Sequence, residues 1–323
     1  SVDALRGFAL LGILLVNIGV FASAFYGLDI ADPNFDRPVD RATNAFVALL
    51  FETKFYLLFS FLFGYSFTLQ MQSAERTQAA FAPRLLRRLA GLWLIGLAHA
   101  VLLYHGDILT TYAVLGVVLL ALRNKSDRTL LRLAAWLIGV TALVWACLGL
   151  LEALFPTPVN RMEVMRQAQT ALRAYAGTPA TVIAQHLQAM STVWVVLALI
   201  QAPFALAMFL LGLVAGRREI LARADEYAPL LHRLIALGLC IGLPGAMLYA
   251  YCSAVLNGSP WSLAGLAIGL LTSPFLTAAY GAGALLFFQT ESGARIRDAL
   301  APAGRMALSN YILQSLICSL IFY

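Results

Sequence analysis

Residues 1–21 read SVDALRGFALLGILLVNIGVF. Asp3 and Arg6 open an apolar run whose one polar side chain is Asn17. Eleven residues separate Arg6 from Asn17, about 16 Å along a helix at roughly 1.5 Å per residue. That is half the hydrocarbon thickness of a bilayer. A polar group at that depth is costly unless paired, so Asn17 is a functional-site candidate. The opening reads as a membrane helix with a charged entrance and a polar group near the midplane.

Composition extends this reading to the whole chain. Of its 323 residues, 61% are hydrophobic and 12% are charged, and mean hydropathy is +0.81. A soluble domain carries about 25% charge. The apolar runs are continuous rather than alternating, which disfavours a β-barrel. The fold class expected is all-α, a polytopic transmembrane helix bundle. The net charge of +6 belongs to membrane-flanking loops, since no basic stripe with interleaved aromatics points to nucleic acid. Cys147, Cys240, Cys252 and Cys318 lie inside apolar runs without CxxC spacing. They read as free, small core hydrophobes rather than metal ligands.

Nine candidate spans emerge, at 5–24, 46–71, 86–105, 107–123, 129–154, 190–216, 233–256, 261–288 and 304–323. A break near Glu52–Lys54 would raise the count towards ten. The chain reads as one transmembrane domain, 1–323, trimmed at both ends, with no removable signal. With a cytoplasmic amino terminus, sixteen of the 22 Lys+Arg fall in cytoplasmic segments and five in the opposite ones, Lys54 lying at membrane depth. That asymmetry follows the positive-inside rule. On the other side, 25–44 carries Asp29, Asp32, Asp36 and Asp40 as an acidic lid. Residues 155–189 begin with the turn Pro156-Thr157-Pro158 and continue as a polar helical stretch from Arg161 to Tyr175. This stretch is expected to lie on the membrane surface or to cap a cavity.

Several residues could carry chemistry. Asp3 and Arg6 can pair at i, i+3, or Arg6 can meet a phosphate. Glu52 and Lys54 carry opposite charges near membrane depth and need partners. At i, i+2 they face different sides of a regular helix, so the helix is expected to break there. His99, His105 and Asp107 sit in HAVLLYHGDILTTYA, which holds two of the four histidines. Asp107 is placed to cap the following helix, and His105 beside it could act as a general base. His99 falls on a nearly opposite helical face from His105. Arg305, Ser309 and Gln314, with Asn310 and Tyr311 alongside, form a polar stripe that reads either as interhelical glue or as a ligand corridor. No metal motif, Walker loop or nucleophile elbow is present.

With these residues in hand, the chain resembles the YeiB family of bacterial inner-membrane proteins. The matching pieces are DALRGFALLGILLVNI at 3–18, LLFSFLFGYSF at 57–67, RLLRRLAGLWLIGLAHAVLLYHGDILTTYAVLG at 84–116 and APAGRMALSNYILQSLICSLIFY at 301–323. More distantly the family is similar to the transmembrane acyltransferases. That resemblance implies a bacterial inner-membrane enzyme moving an acyl group from cytoplasmic acyl-CoA to a small-molecule or envelope-glycan acceptor. The O-acylating branch has an Arg followed eleven residues later by a His. Here Arg6 matches the Arg and Asn17 occupies the His position, as it does in the branch that acetylates glucosamine.

The implied scheme has Arg6 and Arg305 binding CoA phosphates, with Asn17, Asn310 and Gln314 lining the route. His105 would be the base, oriented by Asp107 or Glu52. Attack on the thioester would be direct, because no Ser or Cys shows an activating base in the sequence. The alternatives are a transporter or channel lined by the same polar residues, and a lipid- or partner-binding scaffold. The expected partners are the bilayer and an acceptor, not nucleic acid; a homodimer is compatible with such a bundle.

Overall fold

The computed structural model describes residues 1–28, 30, 32–156, 160–256, 259 and 261–323. Among them every regular element is helical. Helix α1 spans Val2–Ala22. Helix α2 is Pro38–Leu50, started by a proline and by Asp40 accepting the Arg37 N–H. Helix α3 follows at Lys54–Arg76, and Thr53 between the two adopts a left-handed φ of 67°. The break expected at Glu52–Lys54 is therefore present. Helix α4 is Phe81–Leu102, α5 is Leu109–Leu122 and α6 is Asp127–Leu154.

The amphipathic α7, Arg161–Tyr175, precedes α8, Pro179–Val196. The span expected at 190–216 thus begins eleven residues earlier, at Pro179, just after the Thr178 cap. A π-turn at Leu197–Gln201 leads into α9, Ala202–Arg217, and another at Gly238–Gly242 joins α10, Ala228–Leu237, to α11, Leu243–Val255. Pro203 and Pro244 follow these wide turns. Proline lacks an N–H and clashes with the carbonyl four residues back, which a wider turn relieves. Helix α12 is Ser262–Phe287, α13 is Glu291–Arg305 and α14 is Ala307–Phe322.

Seven of these segments are long and apolar enough to cross a membrane, or eight if α13 and α14, bent by 82°, count as one. The differences from nine expected runs have local causes. The 107–123 run is realised as the 14-residue α5, and the 304–323 run is bent at Met306 rather than continuous. Arg305 therefore ends α13 and does not extend the polar stripe of α14.

The contacts sort into two ends of the bundle. At the near end, where α1 starts, Arg217 of α9 bonds the Lys125 carbonyl and Asp127, both at 2.9 Å. At the far end, where α1 finishes, Tyr175 stacks on Tyr323 at 4.3 Å. The most extensive helix pair is α3 against α9, for a steric reason. A Cβ on Gly64 would lie 2.1 Å from the Phe209 carbonyl oxygen, and one on Gly212 would lie 2.0 Å from that of Phe61. Small residues let membrane helices meet backbone to backbone, where packing rather than hydrophobicity drives association. The largest apolar cluster grows around this pair, with Phe67, Tyr112, Leu119, Leu130, Phe209 and Leu213 buried. Cys252 and Cys318 are buried and free as expected, whereas Cys147 and Cys240 are exposed on the outer helix surface rather than in the core.

Replacing Gly212 with Val should lower the thermal midpoint of the detergent-solubilised protein, with about 1–3 kcal/mol of overpacking strain. Gly91→Ala, where a Cβ meets nothing within 4 Å, should leave it unchanged or raise it through helix propensity.

Candidate functional site

The site is built where α4 ends. The Leu103 and Tyr104 N–H groups both close on the His99 carbonyl at 2.9 Å, and the chain reverses at Gly106, whose missing side chain admits the Tyr104 ring. The returning chain packs on α4 at Gly96, where a Cβ would lie 2.7 Å from the Thr110 nitrogen and 2.9 Å from Asp107 Oδ2. Gly96 lies six residues before the end of α4, about 9 Å along its axis. The connection is therefore sunk into the bundle. Non-helical backbone at membrane depth persists where protein buries it, and here it lies against α1, α4 and α14.

Asp107 holds this arrangement. Its Oδ2 accepts the Thr110 N–H at 2.9 Å, which makes the expected helix cap. Its Oδ1 lies 2.9 Å from His99 Nδ1, and His99 Nε2 lies 2.9 Å from Ser315 Oγ on α14. Asp107, His99 and Ser315 are 0%, 3% and 2% exposed, so water does not compete for these bonds. Tyr311 and Tyr104 flank the imidazole at ring separations of 5.0 and 6.1 Å.

The expected pairing of His105 with Asp107 is not made. The helix ends between the two histidines, so helical angles no longer relate them, and it is His99 that meets the carboxylate. His105 instead faces His186 at 5.5 Å, and its backbone carbonyl accepts the Trp194 indole N–H at 3.1 Å. His105 Nδ1 and His186 Nε2 are buried without a hydrogen-bond partner among the described residues. Asn17 adjoins the site through Tyr104, whose hydroxyl reaches Asn17 Oδ1 at 3.3 Å. Helix α7 covers this far-end cluster with Tyr175, 5.8 Å from the His186 ring.

A second cluster surrounds the α2–α3 break. Glu52 accepts from the Tyr26 and Tyr249 hydroxyls at 2.6 and 2.7 Å, so its partners are third parties rather than Lys54 or His105. Lys54 is 1% exposed; its Nζ donates to the Ala48 carbonyl at 2.7 Å and sits 5.5 Å from the Tyr249 ring centre. Thr277 and Tyr280 of α12 donate to the Lys54 and Leu50 carbonyls at 3.1 and 3.0 Å. Ala48 and Leu50 lie in the last turn of α2, so Lys54 and Tyr280 satisfy carbonyls that the break leaves open. The acidic segment is committed locally: Asp32 accepts from Ser23, Asp36 pairs with Arg41 at 2.6 Å and Asp40 caps α2. Asp29 and residues 157–159, including most of the Pro156–Pro158 turn, lie outside the described residues.

At the near end Arg6 bonds Asp3 at 2.6 Å and reaches across to Ser66 of α3. Arg305 is exposed. Asn310 Nδ2 donates to the Ala303 carbonyl at 2.8 Å, bracing the α13–α14 bend. Asn310 and Gln314 line a cavity of about 200 Å³ between α1, α13 and α14, with Gly7, Leu10, Leu300 and Leu313 among its apolar walls. No group of three metal-ligating side chains forms among the described residues. Ser315, Tyr104 and His186 join the site without any sequence signal that singles them out. The hydroxyl signals of Ser315 and Tyr104 are too common in helices to stand out.

Fold and site define a multi-pass, all-helical membrane protein with a buried polar centre. A family described as "Protein of unknown function (DUF418)" matches residues 215–323. The uncharacterized protein YxaH of Bacillus subtilis (strain 168) is 31% identical over 349 residues, covering 99% of this chain and 80% of that protein. The uncharacterized protein YeiB of Escherichia coli (strain K12) is 30% identical over 339 residues, covering 100% and 83%. An uncharacterized 39.9 kDa protein from Bacillus acidopullulyticus is 27% identical over 329 residues, covering 98% and 77%. The chain belongs to this YeiB-like family, as its motifs led us to expect. No solved structure matches it.

Asp107→Ala removes both the cap and the His99 partner. It should destabilise the protein by about 3 kcal/mol, the cost of stranding one member of a buried pair. Ser309→Ala, at an exposed position, should leave the thermal midpoint in place.

Proposed function

We propose that this protein is an acyltransferase of the bacterial inner membrane, taking an acyl group from cytoplasmic acyl-CoA to a small-molecule or envelope-glycan acceptor. The observation that carries this reading is the imidazole of His99, buried inside the bundle and bonded on both ring nitrogens. Asp107 orients it as the carboxylate of a catalytic dyad would, so His99 takes the base role that the sequence assigned to His105. The amide nitrogen of Asn17 remains available for an acyl carbonyl, since Tyr104 engages its oxygen.

The topology of the proposal has nine crossings and a cytoplasmic amino terminus. In this arrangement α5 returns the chain from the sunk turn and the bent α13–α14 pair makes the last crossing. The near end, rich in arginine, then faces the cytoplasm. Arg6 and the exposed Arg305 supply guanidinium groups for CoA phosphates, which arginine binds in a bidentate manner. The cavity beside Asn310 and Gln314 offers an apolar route along α1 for the acyl arm. A transporter is the second reading, favoured by the broken α2–α3 segment with Glu52 and Lys54 at its gap.

Acetyl-CoA or a longer acyl-CoA should raise the thermal midpoint of the solubilised protein. Saturation at about 100 times Kd corresponds to about 2.7 kcal/mol. Arg6→Ala should weaken that response. His99→Gln should preserve it while lowering turnover about 100-fold or more, and His105→Gln should retain more turnover than His99→Gln. No stabilisation by any acyl-CoA would overturn acyl-CoA as the donor.

A further inference from the structure

We propose that Ser315 is a nucleophile that carries the acyl group covalently between donor and acceptor; this rests on the acyl-transfer reading above. The argument begins with bond polarity. Asp107 Oδ2 accepts the Thr110 N–H, so the carboxylate is anchored as an acceptor. Its Oδ1 then accepts from His99 Nδ1–H, which fixes the tautomer with the lone pair on Nε2. Among the described residues the group bonded to Nε2 is Ser315 Oγ at 2.9 Å. With the imidazole neutral, the serine donates its proton to Nε2, which is the ground-state arrangement of an activated hydroxyl.

The behaviour of neighbouring serines supports this. A serine inside a helix ordinarily returns its hydroxyl to the carbonyl four residues back. Ser60, Ser273 and Ser319 do so at 2.8, 2.6 and 2.9 Å. Ser315 stands off from the Tyr311 carbonyl at 3.3 Å and takes the shorter contact to His99. The residues belong to three separate elements, with 216 positions between His99 and Ser315. The constellation of nucleophile, base and orienting carboxylate is thus assembled by the tertiary fold, as its geometry rather than chain order defines it.

The chemistry balances over two half-reactions. Ser315 Oγ attacks the thioester carbonyl, its proton passing to His99 Nε2. The new O–C bond forms as the C–S bond breaks, and the CoA thiolate leaves with the proton from His99. The acceptor hydroxyl then attacks the acyl-serine carbonyl, giving its proton to His99. Ser315 Oγ departs with that proton, and the product is an ester of the acceptor plus free CoA. This replaces the direct attack expected from the sequence, where no serine showed a base.

The test uses the whole chain in detergent with a long-chain alkyl fluorophosphonate, which needs no knowledge of the acceptor. Ser315 Oγ displaces fluoride from phosphorus, and peptide mass spectrometry should place one phosphonyl group on Ser315. Ser315→Ala should carry none. Labelling by His99→Gln should be slower by about 100-fold or more. Because that variant could unfold, Ser315→Cys provides a second measure. The introduced thiol should be alkylated by iodoacetamide at least ~10-fold faster than native Cys318, three residues along the same helix, since a neighbouring base raises thiolate content. Absence of the Ser315 adduct in folded protein, or alkylation of the introduced thiol no faster than that of Cys318, overturns the proposal. Stabilisation by acyl-CoA without a Ser315 adduct overturns the nucleophile and leaves the acyl-transfer reading. An adduct without acyl-CoA stabilisation keeps the nucleophile and overturns the donor.

Discussion

The bond between His99 and Asp107 is the contact on which the rest of this structure depends. In a hydrocarbon surrounding no water is available for an open peptide group, so irregular backbone needs internal partners. The chain at 103–108 meets that constraint by placing Asp107 against both His99 and the start of α5. From this follow the short α5, the packing of its first turn on Gly96, and the attachment of α14 through Ser315 and Ser319, the latter donating to the Leu103 carbonyl at 3.2 Å. One carboxylate therefore ties together the fourth, fifth and last helices.

The same constraint governs the second interruption. Between α2 and α3 the left-handed Thr53 releases several carbonyls from the helical ladder. Lys54 and Tyr280 take up those of Ala48 and Leu50, Thr277 bonds the Lys54 carbonyl, and Glu52 is held by two phenols. Both breaks point polar side chains inward, and both are closed by groups from distant helices. Close backbone approaches supply the rigidity around them. Gly64 and Gly212 join α3 to α9, and Gly7 and Gly304 join α1 to α13, where a Cβ on Gly304 would lie 1.7 Å from the Asp3 carbonyl oxygen. Beside the second junction Arg6 reaches across to Ser66 while its side chain keeps a quarter of its surface exposed.

These features divide the molecule by chemistry. The near end carries guanidinium groups and the apolar cavity beside Asn310 and Gln314. The interior carries the carboxylate, imidazole and hydroxyl series. The far end carries an aromatic lid in which Tyr175 stacks on Tyr323 above His186. In the proposed acyl transfer, a donor bound at one end and an acceptor admitted at the other would meet at the imidazole.

Hydropathy is a local property, and what depends on it was legible in the sequence: the all-α class, the apolar runs, the break at Glu52–Lys54, the cap at Asp107 and the family motifs. The sequence also singled out the short stretch that holds the buried His99–Asp107 pair, HAVLLYHGDILTTYA, because two histidines and an aspartate are conspicuous in an apolar chain. It chose the wrong histidine as the partner of Asp107. Spacing arguments assume a continuous helix, and α4 ends between His99 and His105. Ser315 was invisible for a different reason. A serine on a membrane helix is usually satisfied by its own backbone, and only the tertiary structure brings one of them to an imidazole 216 residues away. The sequence by itself determined which segments are apolar enough to enter a membrane, since transfer energy sums over neighbouring residues. The tertiary structure decided which polar groups meet there, since each meeting depends on helix ends, bends and glycine contacts that no local pattern encodes.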